Sequence, residues 1–164
     1  MKFINNSNDL SKHLDISIIK DVLIKSISID TRTIKKDALF IAIKGVNFNG
    51  NDFLEDAFEK GASIAIVDDQ RFLKTKDKRI IYVKNSIQAL KKISKSIIKS
   101  YQGKVICITG SNGKTSTTNI IASALKSSSK TIKNFNNEIG VPLSIMNASS
   151  KSKNIVLEIG ASKF

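Results

Sequence analysis

The densest chemistry in the sequence lies in one short run, Gly110-Ser-Asn-Gly-Lys-Thr-Ser116. Glycines let a backbone curl closely around an anion, and main-chain N–H groups gathered at a helix start favour phosphate oxygens by direct hydrogen bonds and through the helix dipole. In that geometry Gly110, Ser111, Asn112 and Gly113 seat phosphates, Lys114 reaches the β- and γ-phosphates, and the hydroxyl of Thr115 or Ser116 holds Mg2+. The usual phosphate loop has four residues between its first glycine and the Gly-Lys pair, whereas Gly110 and Gly113 enclose only Ser111 and Asn112. The flanks supply the required context: Val105 to Thr109 reads as a strand, and Ile120, Ile121, Ala124 and Leu125 recur behind the loop with helical period.

A second chemical group stands at Glu158, near the end of the strand-like run Asn154 to Ile159. Carboxylates at the carboxyl ends of parallel strands face the crevice where ligands bind. Residue types alone leave Glu158 open, as a metal ligand or as an ordinary strand-end acid. The lone Cys107 lies in the apolar run before the loop and reads as a buried, inert thiol; a single cysteine makes no internal disulfide, which points to a reducing, cytoplasmic setting. His13 reads as a surface residue on a first helix, with no role.

The elements that must position these groups fall into two textures. Up to about Ser100, the runs Ser26 to Asp30, Ala38 to Ile43, Ser63 to Val67 and Arg79 to Val83 read as strands. Helices are expected over Asn51 to Lys60, stopped by Gly61, and over Ser86 to Ser100, where Ile87, Leu90, Ile93 and Ile97 recur at helical steps. A polar hinge, Lys99 to Lys104, then leads into the strand before the phosphate loop. After the loop helix come a connection, Asn134 to Leu143, a short helix near Leu143 to Ala148, and the strand ending near Glu158. The expected fold is α/β: a small mixed α/β domain over 1–103, then from 104 the start of a parallel-sheet, phosphate-loop domain. Two confident strands are too few to cover both faces of such a sheet, so the second segment either borrows surface or leads a longer chain.

With 164 residues, 41% apolar and 25% charged, the composition is that of a folded chain rather than a disordered one. No apolar run approaches the roughly 20 residues a membrane-spanning helix needs, and the N-terminus has no apolar stretch of the secretory kind, so no membrane insertion is expected. The net charge of +13 raises nucleic acid as a partner. Among the basic residues, however, only Arg32, Arg71 and Arg79 are arginine, and the lysines are scattered without blocks or interleaved aromatics. A solvated basic surface is the simpler reading, and no nucleic-acid partner is expected.

Taken together, the loop, Glu158 and the asparagine-rich connection resemble the Mur ligases, ATP-dependent amide-forming enzymes of peptidoglycan synthesis. Their loop is the shortened Thr-Gly-x-Asn-Gly-Lys-Thr, which Thr109 to Thr115 fits, and this accounts for the short glycine spacing. The segments Asp30-Thr-Arg32, Leu39 to Gly45, Phe48 to Phe53 and Gly61-Ala62 look like the uridine-nucleotide-binding domain of the tripeptide-handling members. Asn134 to Pro142 and Leu157 to Ser162 resemble the members that add D-alanyl-D-alanine, rather than those that add the third amino acid. Two departures stand out: Lys36-Asp37 replaces a usual Pro-Gly, and Asn51 replaces a common His.

The resemblance implies ATP and Mg2+ as cofactors, UDP-N-acetylmuramoyl-tripeptide and D-alanyl-D-alanine as substrates, and an acyl phosphate between them. It makes Lys114 the catalytic cation and assigns the metal to Thr115 and Glu158. It also places Asp30, Thr31, Arg32 and Lys44 against the uridine diphosphate and Asn136 and Asn137 near the metal and substrate. For Arg32 a surface salt bridge with Asp30 or Asp37 competes with that role; for Asn136 and Asn137 so does a purely shaping one. The family normally has three domains, so the resemblance implies that most of the ATPase domain and the C-terminal domain are missing from this chain, which alone would be inactive. A non-catalytic nucleotide- or UDP-sugar-binding module, and the amino-acid-adding ligase, are the competing readings.

Overall fold

The computed structural model describes residues 2–18, 21–132 and 135–160. Asn134, Ala161 and Ser162 of the motifs quoted above lie outside them. By their contacts the residues form two compact units, Ile4–Ile93 and a second made of Met1–Phe3 with Ser94–Phe164.

The first unit is built on a four-stranded sheet of β1 (Ser26–Ser28), β2 (Ala38–Ile41), β3 (Ala62–Val67) and β4 (Ile80–Tyr82). Its order is β1-β2-β3-β4, and every neighbouring pair is parallel. A parallel sheet covered on both faces needs apolar residues at successive positions rather than alternate ones. The central strands have them: β2 is buried throughout, and β3 is buried except at the half-buried Ser63. Helix α1 (Ser7–Leu14) starts where the Asn6 side chain accepts the Asp9 N–H, stops at the left-handed Asp15 (φ 58°), and buries Leu10 and Leu14. Helix α2 (Leu54–Glu59) packs Leu54 and Ala57 into a cluster with Phe40, Ala42, Ala65 and Val67. Helix α3 (Ser86–Ser100) has the bounds its periodicity predicts, with Leu90, Ile93 and Ile97 fully buried.

The expected helix over Asn51 to Lys60 opens instead as a 3-10 turn, Gly50–Phe53. The cause is local. The Asn49 side chain accepts the Asn51 N–H, and Gly50 donates its own N–H to the Ile43 carbonyl at 3.0 Å. A Cβ at Gly50 would stand 2.6 Å from Ile43 N and 2.7 Å from Ile43 O, both main-chain atoms that cannot swing aside. Gly50→Ala is therefore expected to cost about 1–3 kcal/mol of stability. Urea unfolding would read this, and an unchanged midpoint would contradict the close approach.

All four strands being parallel, their carboxyl ends share one edge of the sheet. From that edge emerge Asp30 to Arg32 after β1, Lys44 after β2, Asp68 after β3, and Asn85 with Ser86 after β4.

The second unit contains β5 (Lys104–Ile108), α4 (Lys114–Ala124), β6 (Ser128–Lys130), α5 (Gly140–Asn147) and β7 (Asn154–Glu158). The sheet order is β5-β7-β6, all parallel, with β7 central and buried along its whole length. Cys107, expected to be buried, is exposed. It shares one face of the edge strand β5 with Val105, and that face is open, whereas Ile106 and Ile108 on the other are half-buried and buried. Strand β6 has no counterpart in the sequence reading: Ser-Ser-Lys carries no apolar pattern, and its parallel pairing with β7 makes it a strand. Among the described residues no helix is long and apolar enough to cross a membrane.

Candidate functional site

Strand β5 delivers the chain to Thr109, the loop turns through Gly110 and Gly113, and α4 begins at Lys114. Gly113 sits at φ +76°, a left-handed conformation that a side chain rarely adopts, and serves as the helix N-cap without any side-chain capping bond. The first turn of α4 contains no acidic residue. Its amides and the positive end of its dipole therefore face the loop uncompensated by a carboxylate of the helix itself. The Lys114 ammonium folds over the loop, donating to the carbonyls of Gly110 at 2.8 Å and Ser111 at 3.3 Å. Ser111, Asn112, Gly113, Thr115 and Ser116 are exposed.

Glu158 occupies the last position of β7, in register with Ile108 at the end of β5. Pairing of the two strands thus carries its carboxylate to the first turn of α4. Thr115 donates its hydroxyl to Glu158 Oε2 at 2.7 Å, and Asn136 donates from Nδ2 to Oε1 at 2.8 Å. The Glu158 N–H donates to the Thr131 hydroxyl at 2.7 Å, and the Gly160 N–H to the Asn136 carbonyl at 2.7 Å. Only 3% of Glu158 is exposed. Donation from Asn136, then from Thr115, holds its carboxyl below the usual carboxylate range, with a smaller contribution from the Lys114 charge, while burial works the other way.

An ionised carboxylate beside a hydroxyl, at the mouth of a glycine turn that opens a helix, is a hard-oxygen donor set. Among the described residues no group of three or more His, Cys, Asp or Glu gathers to hold a metal. One carboxylate beside one hydroxyl suits Mg2+, which keeps several waters and takes one or two protein oxygens together with substrate phosphates. The residues present fit Mg2+ and a nucleotide.

The two asparagines part company. Asn136 reaches Glu158, whereas Asn137 Oδ1 accepts the N–H groups of Ile139 and Gly140 and so shapes the entry to α5. Thr131, only 6% exposed, anchors the backbone of Glu158 and is absent from the sequence reading. No sequence signal marks it, because β6, the strand it follows, carries no apolar pattern of its own.

In the first unit, Asp30 caps the 3-10 turn Thr31–Thr33 by accepting the Arg32 N–H at 3.0 Å. The Arg32 guanidinium lies fork to fork on the same carboxylate, with Nε to Oδ1 at 2.9 Å and Nη2 to Oδ2 at 2.7 Å. Asp30 is thus the salt-bridge partner of Arg32, while Asp37 pairs with Lys25. The Arg32 side chain is 85% exposed, so the pair is presented to solvent at the carboxyl edge. Lys44 is also exposed there, on a tight turn in which it bridges Asn49 in antiparallel fashion.

Comparison with known proteins adds an independent line. Residues 23–98 match the family model described as Mur ligase family, catalytic domain, and residues 108–164 match that described as Mur ligase middle domain. The UDP-N-acetylmuramoyl-tripeptide--D-alanyl-D-alanine ligase of Buchnera aphidicola (subsp. Baizongia pistaciae) is 37% identical over 164 residues, covering 98% of this chain and 35% of the relative. The ligase of the same name from Bacillus subtilis is 34% identical over 146 residues, covering 87% of this chain and 32% of the relative. Among solved structures, the MurF ligase from Thermotoga maritima in complex with ADP aligns with a TM-score of 0.71 and 32% identity, covering 88% of this chain and 34% of that one. The chain thus spans about a third of the length of the curated relatives it matches.

Proposed function

Because this chain belongs to the Mur ligase family, we propose that it is the leading part of an ATP-dependent ligase that joins D-alanyl-D-alanine to UDP-N-acetylmuramoyl-tripeptide. The observation that carries the reading is identity to ligases of that name along nearly the whole chain. The Thr115–Glu158–Asn136 cluster beside the phosphate loop supports it chemically. In this reading residues 1–103 bind the UDP-linked precursor, and 104–164 begin the ATP-binding domain. The reaction belongs to the cytoplasm, where ATP and the UDP-linked precursor are available.

The tripeptide carboxylate takes the γ-phosphoryl group from ATP, giving an acyl phosphate and ADP. The amine of D-alanyl-D-alanine then attacks the acyl carbon, gives up its proton, and expels inorganic phosphate as the amide forms. The physical obstacle is one anion approaching another, so fixed positive charge must be waiting where negative charge gathers. The Lys114 ammonium and the amides from Gly110 to Thr115 supply it. Mg2+, held by Thr115 Oγ1 and Glu158, would neutralise further phosphate charge. Asn136, by donating to Glu158, keeps that carboxylate ionised and aimed. Arg32, Asp30, Thr31 and Lys44 meet the uridine diphosphate of the precursor, and Asn137 fixes the connection that bears Asn136.

Calorimetry on the 164-residue chain is the test. The UDP-linked tripeptide is expected to bind more tightly than ATP in the presence of Mg2+, because the four-stranded unit closes its own core while β5 leaves an apolar face open. No amide product is expected from the chain alone. Tight ATP binding with no precursor binding would overturn the assignment of residues 1–103.

A further inference from the structure

Asn51 lies at the carboxyl edge of the first unit and is 3% exposed. Its side chain is spent entirely within the protein. Nδ2 donates to Asn49 Oδ1 at 2.7 Å and to Asp68 Oδ1 at 2.9 Å, while Oδ1 accepts the Asp68 N–H at 3.1 Å. Asp68 continues the chain of bonds, its Oδ2 accepting the N–H of Ser86, the first residue of α3, at 3.0 Å. One carboxamide therefore ties together the turn after β2, the end of β3 and the start of α3, three segments far apart in sequence.

The turn it holds carries Lys44. Asn49, the residue that Asn51 grips through both its N–H and its side chain, is the bridge partner of Lys44. The turn is closed by Gly45 N–H to Phe48 O at 2.9 Å and Gly50 N–H to Ile43 O at 3.0 Å. Around its tip, Lys44, Val46 and Phe48 are exposed, with little packing of their own to fix the lysine. A surface turn without packing must be ordered when a ligand binds, and that ordering subtracts from affinity unless something already holds it. Asn51 is placed to do this from beneath.

We propose that Asn51 is a positioning residue for a nucleoside diphosphate at this edge. It does not touch the ligand; it fixes the Lys44–Asn49 turn so that the Lys44 ammonium stands ready for a phosphate. The inference rests on the proposed role of the first unit in binding a uridine diphosphate.

The test is a double-mutant cycle on the 164-residue chain, with UDP as the probe and calorimetry as the readout. Asn51→Ala is expected to weaken UDP about tenfold in the native background. In a Lys44→Met background, which retains the contacts of Arg32, the same change should alter affinity less than about twofold. A structural role alone would not produce that non-additivity. Asn49→Ala, which severs the link from the half-exposed side and leaves the Asp68–Ser86 bond intact, should behave the same way and replaces Asn51→Ala if the latter fails to fold. Additive losses in either cycle overturn the positioning role while leaving the uridine reading in place. If the native chain does not bind UDP, the uridine reading falls and the positioning role falls with it.

Discussion

Lys114→Met is expected to lower the affinity of the chain for ATP with Mg2+ by about 30-fold or more, leaving its unfolding midpoint nearly unchanged. The ammonium lies over the loop, held there by the carbonyls of Gly110 and Ser111. Its bond to phosphate would be charge-assisted and partly shielded from water, and loss of such a contact costs about 2–5 kcal/mol. At 1.4 kcal/mol for each factor of ten, that spans roughly 30-fold to several-thousand-fold. Stability should barely move, because the side chain is only half-buried and its partners are loop carbonyls open to water. Calorimetric titration of both proteins, with thermal melts as the folding control, gives the comparison. Equal ATP affinity would remove the phosphate-loop assignment.

The second large effect is expected at Glu158, and it has two parts. Glu158→Ala strips the partner from the Thr115 hydroxyl and the Asn136 amide at a position that is 3% exposed. Thr115 is exposed and Asn136 half-buried, so the cost is that of losing two hydrogen bonds to a charged acceptor, about 2–4 kcal/mol together. Glu158→Gln keeps the volume but loses the charge and offers one acceptor oxygen in place of two. It should therefore destabilise less, yet still lose most of any Mg2+ enhancement of ADP affinity. Retention of that enhancement by Glu158→Gln would remove Glu158 from the metal site.

The pH dependence of the second effect has a definite sign. Because the folded-state carboxyl is held below its ordinary value of 4.5, ionised Glu158 contributes stability at neutral pH. That contribution is complete above the unfolded-state value and is lost as the pH falls through the lower folded-state value. The stability gap between the native chain and Glu158→Gln should thus be constant near neutrality and shrink on acidification below about 4.5. A gap that widened in acid would mean that Asn136 and Thr115 do not favour the charged form.

Much of this was legible in the residues, and the reasons are local ones. Helix α3 is found with the bounds its periodicity marks, because Leu90, Ile93 and Ile97 form a single apolar stripe on a segment with no internal breaker. Strand β2 announces itself as an unbroken apolar run and β3 as one from Ile64 to Val67, the pattern of a parallel sheet covered on both faces. The candidate phosphate loop is legible because its strand, glycines, lysine and helix are contiguous, so local geometry alone assembles it.

What was hidden depends on partners far along the chain. Strand β6 has three polar residues and exists through β7. Cys107 reads as buried from its apolar neighbours, but an edge strand leaves one of its faces open.

The sequence by itself determined most of the elements, the family resemblance and the candidate site groups, since each of these is carried by residues close together along the chain. The tertiary structure decided which groups meet. Only the parallel register of β7 on β5 brings Glu158 to Thr115, 43 residues away, and only the fold of the first sheet sets Asn51 against Asp68, 17 residues away. Such bonds form between groups that a sheet delivers to the same edge, and no local pattern in the chain records that delivery.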